Sequence, residues 1–354
     1  MLRTLSRRLP PPPGPGFLLA ALASGTAVGT ALERALVRRR LPQAGAVAFG
    51  DYRDTALLIP VGHNATIYAE VTPSSLPDDD LTVVFCHGYG LNQDSWHYQR
   101  RDLAGRARLV FYDQRSHARS SRGPDGSHSI DQLGTDLQQV IMTAAPSGSL
   151  ILVGHSMGGM TIMALAEQYP DLFVERVRGV ALLATSSGEL SDVPLGLPGP
   201  AARLVHRSAP DLAGLLTARR ALVEVARARQ NDLSVLLTGL YSFGSAVPAV
   251  ESSFVADMLA AVPIEVLADY LPTFLEHDKA AALAGFSQIT TTVMVGECDL
   301  LTPTTHGRRL AEQVGGELTI VPNTGHMIIT ERAELVTSEL AALIDSVREA
   351  DDGA

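Results

Sequence analysis

The stretch SLILVGHSMGGMTIMALAEQYP, residues 149–170, constrains the fold more than any other part of the chain. It opens as an apolar run of strand character and closes as an apolar pattern at helical spacing, and the two meet at Gly154-His155-Ser156-Met157-Gly158-Gly159 with no room for a loop. A buried strand that passes directly into a helix belongs to a parallel sheet covered on both faces. The G-x-S-x-G spacing explains the abrupt junction: small flanking residues let strand and helix approach closely, and the sharp turn exposes the serine hydroxyl. The helix amino-terminus adds N–H groups and a positive dipole end beside it.

The rest of the chain repeats this alternation. Eight strands are predicted, at 55–62, 65–72, 81–88, 107–114, 149–156, 177–186, 289–299 and 316–323. The first two alternate in polarity about His63 and Asn64, as in an antiparallel hairpin at a sheet edge, while the later runs are nearly continuous hydrophobe, as in buried parallel strands. The expected fold is α/β, an eight-stranded mostly parallel sheet with helices on both faces. Between Ser187 and Gly285 the strand signal disappears into Leu-, Ala- and Val-rich sequence at helical spacing, far longer than a crossover requires. A helical cap at 188–285 is expected, inserted after the sixth strand and lying over the carboxyl ends of the strands, where ligands bind in open α/β sheets. The alternative is a second helical layer with no part in binding. Residues 46–187 and 286–350 then form the core domain.

A hydroxyl is a weak nucleophile until a base takes its proton, so Ser156 calls for a histidine oriented by a carboxylate. VMVGECDLLTP delivers Asp299 past one strand and LTIVPNTGHMI delivers His326 past the last, giving Ser156, Asp299 and His326 in chain order. Glu297 is the rival acid, expected to share a strand face with Asp299 but to lie farther from the site. His87 and His155 belong to motifs in which the backbone matters, His306 to a helix start, and His97, His117 and His128 to loops or amphipathic stretches. In VVFCHGYGLN a strand runs into His87-Gly88-Tyr89-Gly90. The backbone N–H groups of Tyr89 and Met157 are the expected oxyanion hole.

Taken together, HGYG, Asp113-x-Arg115 with Ser120, GHSMGG, Gly296-x-x-Asp299 with Pro303, and Gly325-His326 resemble the α/β-hydrolase superfamily, in particular its capped serine esterase, lipase and perhydrolase-like members. The resemblance covers residues 55–348 and extends to actinobacterial hydrolases with apolar leaders. One segment departs from it: YDQRSHARSS (112–121) has Ser116 and Ala118 where the family has glycines, which permit unusual backbone angles. Asp113 and Arg115 are expected to anchor that loop, and Trp96 to pack in the core or to wall an acyl pocket.

The resemblance implies hydrolysis of a carboxylic ester with an apolar or lipid-like acyl group, through an acyl-enzyme on Ser156. Three alternatives stay open: a cofactor-free perhydrolase or haloperoxidase-like activity, a C–C bond hydrolase, and a receptor-like protein with little turnover. Epoxide hydrolases and haloalkane dehalogenases of the superfamily use an aspartate where this chain has Ser156. A net charge of −10 gives no reason to bind nucleic acid. The cysteines, Cys86 and Cys298, are expected to be packed in strands without a disulfide, no Cys/His spacing suits zinc, and neither metal nor cofactor is expected. Residues 1–45 form a basic and apolar leader. Its apolar part, Phe17 to Leu32, is shorter than the roughly 20 residues of a membrane span, and RALVRRR follows at residues 34–40. A membrane anchor with contact through residues 17–40 is expected, against the alternative of a surface helix on a cytoplasmic protein.

Overall fold

The computed structural model describes residues 47–77, 79–193 and 241–352. The leader at 1–45 and the middle of the expected cap, residues 194–240, lie outside them. All eight expected strands form: β1 (Thr55–Val61), β2 (Ala65–Thr72), β3 (Thr82–Cys86), β4 (Arg108–Tyr112), β5 (Leu150–His155), β6 (Val177–Leu183), β7 (Thr290–Gly296) and β8 (Glu317–Val321). Their spatial order is β1-β2-β4-β3-β5-β6-β7-β8. The β1–β2 and β2–β4 pairs are antiparallel and every other pair is parallel. β1 ends at Val61, so the hairpin connection is Gly62-His63-Asn64 rather than His63-Asn64 alone, and both of those residues take positive φ, 62° and 53°.

The helices are α1 (His97–Leu103), α2 (Ile130–Ala144), α3 (Met157–Gln168), α4 (Pro170–Arg176), α5 (Ala249–Ala261), α6 (Ile264–Glu276), α7 (Thr304–Val314), α8 (Ile328–Glu331) and α9 (Ala333–Asp352). Strand periodicity of two divides the core into two layers. Val84 and Cys86 point into the cluster with Leu137 and Ile141 of α2, Ile162 and Leu165 of α3 and Leu310 of α7, whereas Val83 and Phe85 point into the one with Leu103 of α1 and Val336, Leu340 and Ile344 of α9. Both faces are therefore covered, and this is why the strands read as continuous hydrophobe. Local signals set the helix ends. Ser129 caps α2 by accepting the Gln132 N–H at 3.1 Å, and α7 stops at Gly315 in the left-handed region.

α5 and α6, the described helices of the expected cap, pack on loops at the carboxyl ends of the strands. The Tyr89 hydroxyl donates to the Leu267 carbonyl at 2.5 Å, the Ile130 N–H donates to the Thr273 hydroxyl at 3.1 Å, and the Tyr270 hydroxyl donates to the Arg115 carbonyl at 3.2 Å. No described helix is long and apolar enough to cross a membrane.

Candidate active site

Ser156 stands between β5 and α3 with φ 53° and ψ −119°, a conformation that costs an L-residue energy and persists only where its surroundings over-determine it. Hydrogen bonds to its own N–H and carbonyl do so. The Ser156 N–H donates to the Leu183 carbonyl at 2.9 Å, and its carbonyl accepts from the Gly159 N–H at 2.9 Å and from the Thr185 hydroxyl at 2.7 Å. A Cβ on Gly158 would lie 2.0 Å from the Cys86 carbonyl oxygen, and one on Gly154 would lie 2.6 Å from the Gly159 backbone. The glycines are thus fixed by the close approach of α3 to β3 and β5.

The structure brings Ser156, Asp299 and His326 together. His326 follows β8 and places Nε2 2.8 Å from the Ser156 hydroxyl and Nδ1 2.8 Å from the Asp299 carboxylate. An ionised carboxylate only accepts, so Nδ1 carries the proton and Nε2 is left to accept the serine proton. Asp299 is itself held by the N–H groups of Leu301 and Thr302, at 2.8 and 2.9 Å, and by the Thr302 hydroxyl at 2.8 Å. Burial pushes its carboxyl up, but the His326 ring and these donors more than offset that and hold it below the usual value.

Glu297 is exposed and accepts the Asn323 N–H at 3.1 Å. The strand-face argument for it fails because β7 ends at Gly296, so both acids lie in the turn beyond the strand. The same early ending corrects the expectation for Cys298, which is exposed; Cys86 is buried in β3, its thiol pushed up to about 12 by desolvation, and both are free.

Tyr89 and Met157, the expected oxyanion donors, sit at the ends of β3 and β5, with Met157 the first residue of α3. The loop carrying Tyr89 is clamped on either side. His87 Nδ1 donates to the Gly88 carbonyl at 2.8 Å while its Nε2 accepts the Gln114 N–H at 2.8 Å, and the Gly90 N–H donates to His117 Nε2 at 3.2 Å. Burial holds these rings neutral: His87 lies well below its usual value and His117 is lowered to about 4. Single residues in a loop sequence gave no sign of this. Gln114 and Thr185 likewise act through contacts that no spacing pattern marks, while Thr302 stands just before Pro303 in the motif that delivers Asp299 and holds that carboxylate through both its N–H and its hydroxyl.

The departing loop is held as expected. Asp113 accepts the N–H groups of Gln93 and Arg119, at 2.9 and 3.1 Å, and Arg115 pairs with Asp136 through two hydrogen bonds of 2.6 and 2.8 Å, with Asp113, Arg115 and Asp136 all buried. Ser116 and Ala118 take φ of 65° and 42°, the left-handed angles that glycines would supply. Trp96 is fully buried against Phe85 with ring centroids 5.2 Å apart, the core alternative for that residue. Among the described residues no group of three or more His, Cys, Asp or Glu could hold a metal ion.

A strand-elbow-helix serine on an eight-stranded mostly parallel sheet, with aspartate and histidine past the later strands, defines the class. The chain belongs to the alpha/beta hydrolase fold family, whose model matches residues 82–333. It is 26% identical over 281 residues to an sn-1-specific diacylglycerol lipase of Mus musculus, covering 75% of this chain and 84% of that one. It is 34% identical over 96 residues to an epoxide hydrolase of Caenorhabditis elegans, covering 27% of this chain and only 24% of that protein. Among solved structures, a thermophilic esterase from Thermogutta terrifontis superposes with a TM-score of 0.63 at 20% identity, over 83% of this chain and 99% of that one. A bromoperoxidase from Bacillus anthracis gives 0.65 at 19%, over 82% and 100%. At these identities the solved structures establish the fold and no particular reaction.

Proposed function

We propose that the protein is a serine hydrolase that cleaves a carboxylic ester of an apolar, lipid-like acyl group. The observation that carries this reading is the 2.8 Å contact of Ser156 Oγ with a His326 ring whose other nitrogen lies on Asp299. In this reading His326 Nε2 takes the hydroxyl proton as Ser156 attacks the ester carbonyl. The oxyanion is held by the N–H groups of Tyr89 and Met157, and His326 returns the proton to the departing alcohol. Water, activated by the same ring, then releases the acid. Asp299 keeps Nδ1 protonated and stabilises the imidazolium that forms.

The apolar preference rests on the apolar cluster to which Met157 belongs: Tyr89, Leu190, Leu267 and Phe274 are partly buried and pack against that cluster. Three of these four lie within 188–285, which supports reading that region as a cap that selects substrate. The relative named as a diacylglycerol lipase is in keeping with a lipid-like ester. Residues 17–40 of the leader are proposed to bring the enzyme to a membrane surface. Ser156→Ala should abolish turnover of short p-nitrophenyl esters and labelling by a fluorophosphonate, and persistence of both would refute the assignment. An ester panel run with and without peroxide separates hydrolysis from a perhydrolase activity, and many turnovers per enzyme separate it from a receptor.

A further inference from the structure

Past His326 the chain makes one turn of helix, α8, and delivers Glu331, a carboxylate only 8% exposed. Burying a carboxylate is costly unless its oxygens are fully engaged. Here four donors engage them: the Gly325 N–H at 2.8 Å, the Gly244 N–H at 3.1 Å, the Ser245 N–H at 2.7 Å and the Ser245 hydroxyl at 2.6 Å. One donor is the N–H of Gly325, the residue immediately before His326. The other three belong to Gly244 and Ser245, which lie inside the insertion, ahead of α5.

One further contact joins the same pieces, and another ties His326 to the end of β5. The Met327 N–H donates to the Ser242 carbonyl at 2.7 Å, and His155 Nε2 donates to the His326 carbonyl at 2.9 Å. Gly244 and Gly325 also cross backbone to backbone. A Cβ on Gly244 would lie 2.7 Å from the Gly325 nitrogen, and one on Gly325 would lie 2.5 Å from the Gly244 nitrogen. The N–H groups of Gly325 and Met327, the neighbours of His326 on either side, are therefore tied to residues 242–245, that of Met327 directly and that of Gly325 through the Glu331 carboxylate.

We propose that Glu331 is a positioning residue of the active site: its carboxylate fastens Gly244 and Ser245, inside the insertion, to the His326 loop and so holds the imidazole on Ser156. The proposal rests on His326 being the general base. It gives the insertion a second task, because a segment outside the core domain then sets the base in place.

Glu331→Gln keeps the size but turns an amide toward backbone N–H groups that need an acceptor. A small displacement of a reacting group costs up to about a hundredfold in rate. We expect fluorophosphonate labelling of Ser156 to run to completion but about a hundredfold more slowly, and kcat for a short ester to fall while KM holds. A merely structural role would lower the labelled fraction and leave the rate of the folded fraction unchanged. Ser245→Ala, which removes one of the four bonds, should slow labelling by less, and it carries the test if Glu331→Gln does not fold. Labelling of both folded variants at the wild-type rate would overturn the proposal.

The downfield proton signal of His326 Nδ1–H, identified by its loss in His326→Ala, is a readout independent of turnover. If the wild-type protein neither labels nor hydrolyses esters, the hydrolase reading falls. The signal in Glu331→Gln then decides this proposal alone: broadening or loss supports it, and an unchanged signal overturns it.

Discussion

Asp113 and Asp299 occupy equivalent addresses, one past the end of β4 and the other past β7, and both are buried. Each accepts two backbone N–H groups, yet they titrate in opposite directions. Burial raises Asp113 to about 6, and its bonds from Gln93, Arg119 and the Arg119 guanidinium, 3.5 Å away, do not recover the loss. Asp299 adds a hydroxyl donor and an imidazole to the same kind of cradle and ends below its usual value. Burial alone thus makes a strand-end carboxylate a poor anion. A directed ring and hydroxyl make it a good one, and this separates the loop anchor from the carboxylate that holds the His326 ring.

The largest test of the contrast is catalytic. Asp299→Asn should cut kcat/KM by about 10⁴, the scale seen when a triad aspartate no longer holds the histidine tautomer. Asp113→Asn should leave it within about tenfold, because Asp113 acts only on its loop. Equal losses in ester turnover would dissolve the distinction. Next in size is the other anchor of that loop. Arg115 and Asp136 are both buried, and breaking such a pair from one side costs about 3–5 kcal/mol. Arg115→Ala should show that loss in urea unfolding.

A third test uses the sign of the shifts. Asp299, lowered, contributes stability that is present above its unfolded value of 3.8 and is lost as pH falls through the folded value beneath it. Asp113, raised from 3.8 to about 6, does the reverse. The folded state keeps a proton that the unfolded chain releases, so the Asp113 contribution shrinks as pH rises through that window. Its full span is on the order of 3 kcal/mol. The stability gap between wild type and Asp113→Asn should therefore be wider at about pH 4 than at about pH 7, measured by urea midpoints. A gap that widens with pH would reverse the assignment.

Legibility in the sequence followed the range of each interaction. The strands were readable because burial on both faces leaves continuous apolar runs, and Ser156, Asp299 and His326 because each stands just past a strand within a short motif. Cys298 and Glu297 were misplaced because the run VMVGECD carries its strand pattern beyond Gly296, where the chain turns: the Glu297 N–H donates to Val321 and the Asp299 N–H to Gly296. His117 read as a loop residue, yet it is buried with its ring 5.7 Å from that of Tyr270 on α6, a contact made by a segment distant in sequence. The partners of Glu331 were invisible for the same reason: a pair of backbones crossing at Gly244 and Gly325 leaves no periodicity to read.

The smallest effect bears on what Asp113 holds in place. Ala118 sits at φ 42° with an exposed side chain, so no contact of its methyl group accounts for the angle. What the angle achieves is delivery of the next N–H, that of Arg119, to Asp113 at 3.1 Å. A left-handed L-residue costs roughly 1–2 kcal/mol, and glycine removes that cost while losing about 0.5–1 kcal/mol of unfolded-state entropy advantage. Ala118→Gly should therefore stabilise the protein by about 0.5–1 kcal/mol and leave ester turnover unchanged. If Asp113 enforces the strained turn, the gain should vanish in an Asp113→Asn background, where the loop is free to relax. An equal gain in both backgrounds would mean that the turn is held elsewhere, with the Arg115–Asp136 pair the next restraint to remove.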